Sequence, residues 1–253
     1  NNGTIHANVD GGTFNVTGTE WVNNGSLMVS NGATINISGS NWSNAGSFTL
    51  DADSTLNLKG SVTTANLGSI SDAGMVYLRG TLDNTGATAD FAALNIDAIS
   101  GRVNGGQVDN ATILGSASFD DVTLGTDLAV VDNAALHIYN DLQLLNGVTL
   151  NIGDDTSAGR VYTHGASTFS TTDSADIVFG SSSHNTLSRY YTHTDTISIG
   201  SGVTVSGENG SIGGYYRNYG APLSASLVNN GTIHANVDGG TFNVTGTEWV
   251  NNG

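Results

Sequence analysis

Cysteine is absent from the 253 residues, which excludes disulfides, thiolate metal sites and cysteine nucleophiles. Proline occurs once, at Pro222, and lysine once, at Lys59. Charged residues are 11% of the chain, against roughly 25% in an average soluble domain. The charge is also one-sided: 6 Lys and Arg stand against 22 Asp and Glu, a formal net charge of −16. Such a chain is repelled by phosphate backbones and by anionic headgroups, so nucleic acid is not an expected partner. No apolar run approaches the ~18 residues of a membrane-spanning helix, so no membrane insertion is expected in this segment. A signal-peptide pattern is missing, and the first residue is Asn1, so the sequence reads as a mature piece or an excerpt. Helix signals are missing too: there is no long stripe of period 3.6, and Lys, Glu and Arg are scarce.

What the chain has in abundance is repetition, on two scales. Residues 1–25 and 229–253 both read NNGTIHANVDGGTFNVTGTEWVNNG, so that Asn1 recurs as Asn229 and Gly25 as Gly253. Chance does not give an identical run of this length, so a tandem array with a 228-residue unit is expected, of which one period plus an overlap is visible.

The finer scale is set by glycine. Gly3, Gly25, Gly46 and Gly68 recur at nearly equal intervals, and so do Gly18, Gly39, Gly60 and Gly80. Apolar residues recur with them: Ile5, Leu27, Phe48 and Ile70; Phe14, Ile35, Leu56 and Val76; Val16, Ile37, Leu58 and Leu78. Alternation such as Thr-Phe-Asn-Val puts one face inward and one outward. Short strands at a period of about 20–25 residues, separated by Gly, Asn, Ser and Asp, predict a parallel β-helix whose circuits stack ~4.8 Å apart. The expected fold is therefore all-β, a right-handed parallel β-helix (β-solenoid) of about ten ~22-residue coils per unit, running through 1–253 as a single continuous solenoid. Gly at fixed places is expected to supply corners of positive φ. Asn15, Asn36 and Asn57 share one outward position and predict an amide ladder. Segments 153–160 and 181–195, rich in Ser, Thr, Asp and Gly, read as projecting loops.

The rungs LVNNGTIHANVDGGTFNV (227–244), WVNNGSLMVSNGATINIS (21–38) and NAGSFTLDADSTLNLKG (44–60), with TISIGSGVTVSGENGSIGG (196–214), resemble those of large repetitive bacterial surface proteins. Filamentous-haemagglutinin-like adhesins and autotransporter-passenger-like segments are of this kind. The resemblance is one of pattern over most of the chain. It implies export from a bacterium, an extracellular or cell-surface location, and a role as stalk, fibre or adhesin. It assigns no catalytic residue.

Candidate sites are few. His6, His137, His164, His184, His193 and His234 are scattered, and none forms a metal-ligand motif. Asp120-Asp121 and Asp154-Asp155 pair carboxylates that, in loops, suit Ca²⁺. The glycine-aspartate nonapeptide and the EF-hand spacing are both missing. No cofactor is expected, with Ca²⁺ the one candidate left open. Six basic residues over the whole chain form no acid–base cluster of the kind β-helix polysaccharide-degrading enzymes need, so no enzyme is expected. The most unusual local text is aromatic: Arg189, Tyr190 and Tyr191, then Tyr215, Tyr216, Arg217 and Tyr219 about one circuit later. Stacked on adjoining rungs, these would make a Tyr/Arg patch suited to a glycan or a partner surface. The leading expectation is a structural segment of a long fibre or stalk, its partners being neighbouring copies of the same repeat joined end to end. An adhesin module binding glycan or a cell surface through the patch and loops is the alternative.

Overall fold

A computed structural model describes residues 1–190, 195–215, 226–246 and 248–253. The chain is all-β: short strands follow one another with one 3-10 turn, Thr64–Asn66, and the strands pair in parallel throughout the described residues. It forms two compact units, 1–112 and 113–253. Among the described residues no helix is long and apolar enough to cross a membrane.

In the first unit, strands Thr4–Ala7, Ser26–Val29, Ser47–Leu50 and Ser69–Asp72 lie side by side, each one circuit of chain after the last. The register matches the sequence period. Ile5 pairs Leu27, Leu27 pairs Phe48, and Phe48 pairs Ile70. A second sheet aligns Phe14, Ile35, Leu56 and Val76, together with Val16, Ile37, Leu58 and Leu78. Leu27, Ile35, Phe48, Leu56 and Val76 are fully buried. Each such side chain contributes roughly 1.5–3 kcal/mol on leaving water. Period-2 alternation fixes which side chains face in, because a one-residue slip would expose a whole row.

Spacing in the second unit is looser. Ala117, Leu136, Val161 and Leu187 form one inward row, and Val122, Leu142, Phe169 and Ile199 another. The step from Phe169 to its partner Ile199 is half as long again as the step from Ala117 to Leu136. The extra residues sit in the connections, where chain length is tolerated because a longer loop costs little closure entropy.

Two expectations are corrected. Most of the repeated glycines do not supply positive φ. Gly25, Gly39, Gly46, Gly60 and Gly80 are needed because a Cβ there would collide with the carbonyl oxygen of a glycine one circuit earlier. Positive φ is supplied by Gly18, Gly68 and glycines outside these two series, among them Gly32, Gly86 and Gly147, and also by Asn and Asp, among them Asn31, Asp53, Asn95, Asn110, Asp121 and Asn140, whose short polar side chains tolerate that region. Segment 181–195 is not wholly loop either: Thr186–Arg189 is a buried strand. Its one apolar anchor, Leu187, is enough because strands on both sides, at Val161 and Ile212, supply backbone partners. Segment 153–159 is irregular as expected, and Arg160 opens the next strand.

Candidate functional site

Two places collect chemistry. The first is on the outward rows of the second unit. His137 pairs Tyr162, and Tyr139 pairs His164, on neighbouring strands Ala135–Leu144 and Arg160–His164. His137 Nδ1 and His164 Nε2 are 2.8 Å apart, one donating to the other. The Tyr139 ring stacks on His164 at 4.2 Å and 14°. Tyr190, just past the next strand, closes the group with its ring centroid 4.8 Å from His137, 4.6 Å from His164 and 5.5 Å from Tyr162. Burial lowers the pKa of His137 below its ordinary value, because the charged imidazolium is the form that loses solvation.

This cluster revises the Tyr/Arg patch. Tyr190 takes part, but Arg189 does not: it pairs Thr163 in the row continuing from Ile138, and only 3% of it is exposed. Arg189 ends its strand turned inward, while Tyr190, the next residue, reaches the outward rings of His137 and His164. Among the described residues, Arg189 Nε and Nη1 have no hydrogen-bond partner, nor has Thr163 Oγ1 beside it. Burial pulls the Arg189 pKa down, and the nearby Asp195 pulls it back up. Tyr215 ends the strand Asn209–Tyr215 and pairs Arg189 across a register shift. Tyr191, Tyr216, Arg217 and Tyr219 lie outside the described residues. The partners of Tyr190 were legible as His-Ile-Tyr at 137–139 and Tyr-Thr-His at 162–164, the same alternate spacing one circuit on.

The carboxylate pairs are put to local use. Asp154 Oδ1 accepts hydrogen bonds from the backbone and hydroxyl of both Thr156 and Ser157, at 2.6–3.1 Å. These bonds, led by that from the Thr156 backbone, hold its carboxyl at about 2. Asp120 accepts from the Asn140 amide at 2.6 Å. Among the described residues, no group of three or more His, Asp or Glu side chains converges as metal ligands would.

The second place is the repeated segment, present at 1–25 and 229–253, whose strands Thr4–Ala7 and Thr13–Val16 recur as Thr232–Ala235 and Thr241–Val244. In the first copy the Asn1 side-chain amide donates to Asn23 Oδ1 at 2.7 Å; in the second, Asn229 donates to Asn251 Oδ1 at 2.7 Å. Asn1 Oδ1 accepts from the Gly3 N–H, as Asn229 Oδ1 does from Gly231. The two copies are covered on opposite sides. In the first, Thr4–Ala7 and Thr13–Val16 pair with the strands that follow, Ser26–Val29 and Thr34–Ile37. In the second, Thr232–Ala235 and Thr241–Val244 pair with the strands that precede, Val203–Gly207 and Asn209–Tyr215.

Asn23 is accordingly fully buried, while its copy Asn251 is exposed. Phe14 is 46% exposed, while its copy Phe242 packs 5.3 Å from the Phe179 ring. On the uncovered side of the second copy is a recess of about 280 Å³ lined by Asn229, Thr232, Ile233, Val244, Trp249 and Asn251. In the first copy, the matching Ile5, Val16 and Asn23 are paired with Leu27, Ile37 and Asn44.

A buried asparagine ladder therefore marks one corner: Asn1 to Asn23, Asn23 to Asn44 at 2.8 Å, and Asn44 to the Leu67 carbonyl at 3.1 Å. Periodicity pointed only to the other ladder, in which Asn57 donates to Asn36 at 2.9 Å and Asn36 to Asn15 at 2.8 Å. Arg79 caps that ladder from Nε at 2.6 Å, its guanidinium 4.7 Å from the Tyr77 ring centre.

No family model, curated protein or solved structure matches the chain.

Proposed function

We propose that the chain is a right-handed parallel β-helix segment of a long extracellular fibre or cell-surface stalk, exported by a bacterium and built from tandem 228-residue units. The observation that carries this is the repeated segment: the same stretch of sequence pairs with a following circuit in one copy and with a preceding circuit in the other. A circuit with partners on both sides is an interior circuit of an array. Parallel sheets with inward apolar rows and amide ladders suit such an array, because each circuit stabilises only its neighbours and length can grow without a new core. Acidic, Lys-poor outer faces keep rods apart from one another.

The test is a chain of two periods, residues 1–228 followed by 1–253, viewed by electron microscopy. One unbroken rod, longer by roughly 50 Å at the ~4.8 Å circuit spacing than the chain of a single period, is expected. Separate globules joined by a flexible gap would reject the fibre.

The adhesin reading has one observation in its favour, the ring cluster of His137, Tyr139, Tyr162, His164 and Tyr190 on outward rows. Stacked and tilted rings gathered on one sheet suit a sugar face or a partner surface. Glycan-array binding that disappears with Tyr139→Ala and Tyr190→Ala would support it, and absence of binding to glycans and cells would leave the fibre role alone.

A further inference from the structure

We infer that His137 and His164 form a binding site for a divalent transition-metal ion on the outer face of the second unit, taking Cu²⁺ ahead of Ni²⁺ and Zn²⁺. The site requires only the second unit and is independent of the fibre reading.

Parity and register build the pair. His137 lies on an outward row of Ala135–Leu144, and His164 on an outward row of Arg160–His164, the neighbouring strand one circuit later. His164 is set against Tyr139, two residues beyond His137, so the two imidazoles meet diagonally on one face. His137 Nδ1 and His164 Nε2 are 2.8 Å apart, with the ring centroids at 5.0 Å and the planes inclined at 44°. An ion bound to nitrogen at ~2.0–2.1 Å holds two ligand nitrogens about 2.8–3.0 Å apart in a square-planar site and about 3.3–3.4 Å apart in a tetrahedral one. The observed separation sits at the square-planar value, and a small swing of the rings aims both lone pairs at one point without moving either strand. At present the two nitrogens share one N–H. The nitrogen that carries it becomes a ligand when its ring takes the proton on its other nitrogen, so both imidazoles stay neutral.

The surroundings fix the rings and favour a cation. Tyr139 stacks on His164, Tyr162 lies 5.4 Å from His137, and Tyr190 contacts both imidazoles. Ligand rings held by neighbours have less freedom to lose on binding. Both imidazoles are only part-buried, which leaves a path for an ion. Asp120 pairs Tyr139 in the same outward row and adds a carboxylate to the field of a chain whose net charge is −16. Imidazole suits Cu²⁺, Ni²⁺ and Zn²⁺, and affinity for a given nitrogen site peaks at Cu²⁺. Among the described residues two side chains converge rather than three, so water fills the remaining positions. An ion here ties consecutive circuits together and stabilises the fold by mass action.

The test uses the untagged chain, stripped of metal by a chelator and titrated separately with Cu²⁺, Ni²⁺ and Zn²⁺. One ion per chain is expected in the tightest step, Cu²⁺ binding best, with a rise in Tm. The electron paramagnetic resonance of bound Cu²⁺ should show coupling to two imidazole nitrogens. His137→Gln and His164→Gln should each weaken binding by at least the about 10–100-fold that disturbing a metal site's outer shell costs. If neither variant folds, as read by circular dichroism, a second chain decides. In it His6, His184, His193 and His234 are all replaced by Gln, leaving His137 and His164 as its only histidines. That chain should bind one ion as tightly as the parent. Absence of binding to the parent, loss of binding in the fourfold variant, or unchanged binding in folded His137→Gln and His164→Gln overturns the inference.

Discussion

Gly25 stacks on Gly3 so closely that a Cβ on Gly25 would fall against the Gly3 carbonyl oxygen. The later copy of Gly3, Gly231, is in turn held against the carbonyl of Val203, whereas around Gly3 itself nothing comes within 4 Å of the equivalent position. One residue type in one sequence thus meets two environments.

That contrast predicts opposite outcomes for the same substitution. Gly231→Ala should cost about 1–3 kcal/mol, the usual range for forcing a side chain into a filled space. Gly3→Ala should stay within about 0.5 kcal/mol of the parent, as surface changes do. Urea unfolding midpoints of the two variants measure this, and equal effects would show that close backbone approach is not what these glycines are needed for.

Asn23 is fully buried, accepts from Asn1 and donates to Asn44. Asn23→Ala leaves both neighbours short of a partner, so a loss of about 1–3 kcal/mol is expected. Asn24→Ala, at an exposed position joined only to Asn2 at 3.1 Å by its side chain, should change the midpoint little.

Trp42 is fully buried, 6.0 Å from the Phe48 ring, and among the described residues its indole Nε1 has no hydrogen-bond partner. Trp42→Ala should therefore cost about 3–5 kcal/mol. Trp42→Phe should cost much less, since it keeps an aromatic ring in the core and removes an unsatisfied donor. Thermal or urea denaturation of the pair distinguishes packing from polarity at this site.

Acid should weaken the fold in two separate windows. Burial depresses the folded-state pKa of His137, so the unfolded chain takes up this proton first as pH falls. The stability held by neutral His137 is full above the unfolded imidazole value, near 6.5, and is lost as pH drops through the depressed folded value. Asp154 is lowered from 3.8 to about 2, so its contribution is full above 3.8 and is lost between there and about 2. Unfolding midpoints measured from pH 8 to pH 2 should show both steps. His137→Gln should remove the upper step alone, and Asp154→Asn should shrink the lower, to which Asp83 and Asp90, also lowered by hydrogen bonds, contribute.

The first unit was legible because its circuits keep nearly one length. With steps that even, Ile5, Leu27, Phe48 and Ile70 can be aligned by counting, and the observed register follows that count. The amide ladder through Asn15, Asn36 and Asn57 was legible for the same reason. In the second unit, unequal connections break the count, so the alignment of His137 and Tyr139 with Tyr162 and His164 was missed although the spacing within each strand matched. Of the Tyr/Arg patch, Arg189 is turned inward and buried, while Tyr191, Tyr216, Arg217 and Tyr219 lie outside the described residues.

By itself the sequence determined the all-β character, the inward rows of the first unit and the existence of a 228-residue period, because alternation and spacing are properties of the chain before it folds. Only the tertiary structure decided which glycines are needed for closeness rather than for φ, which asparagines turn inward, and which histidines and tyrosines meet. Those outcomes depend on how many residues each circuit spends between its strands, and therefore on which residue arrives above which.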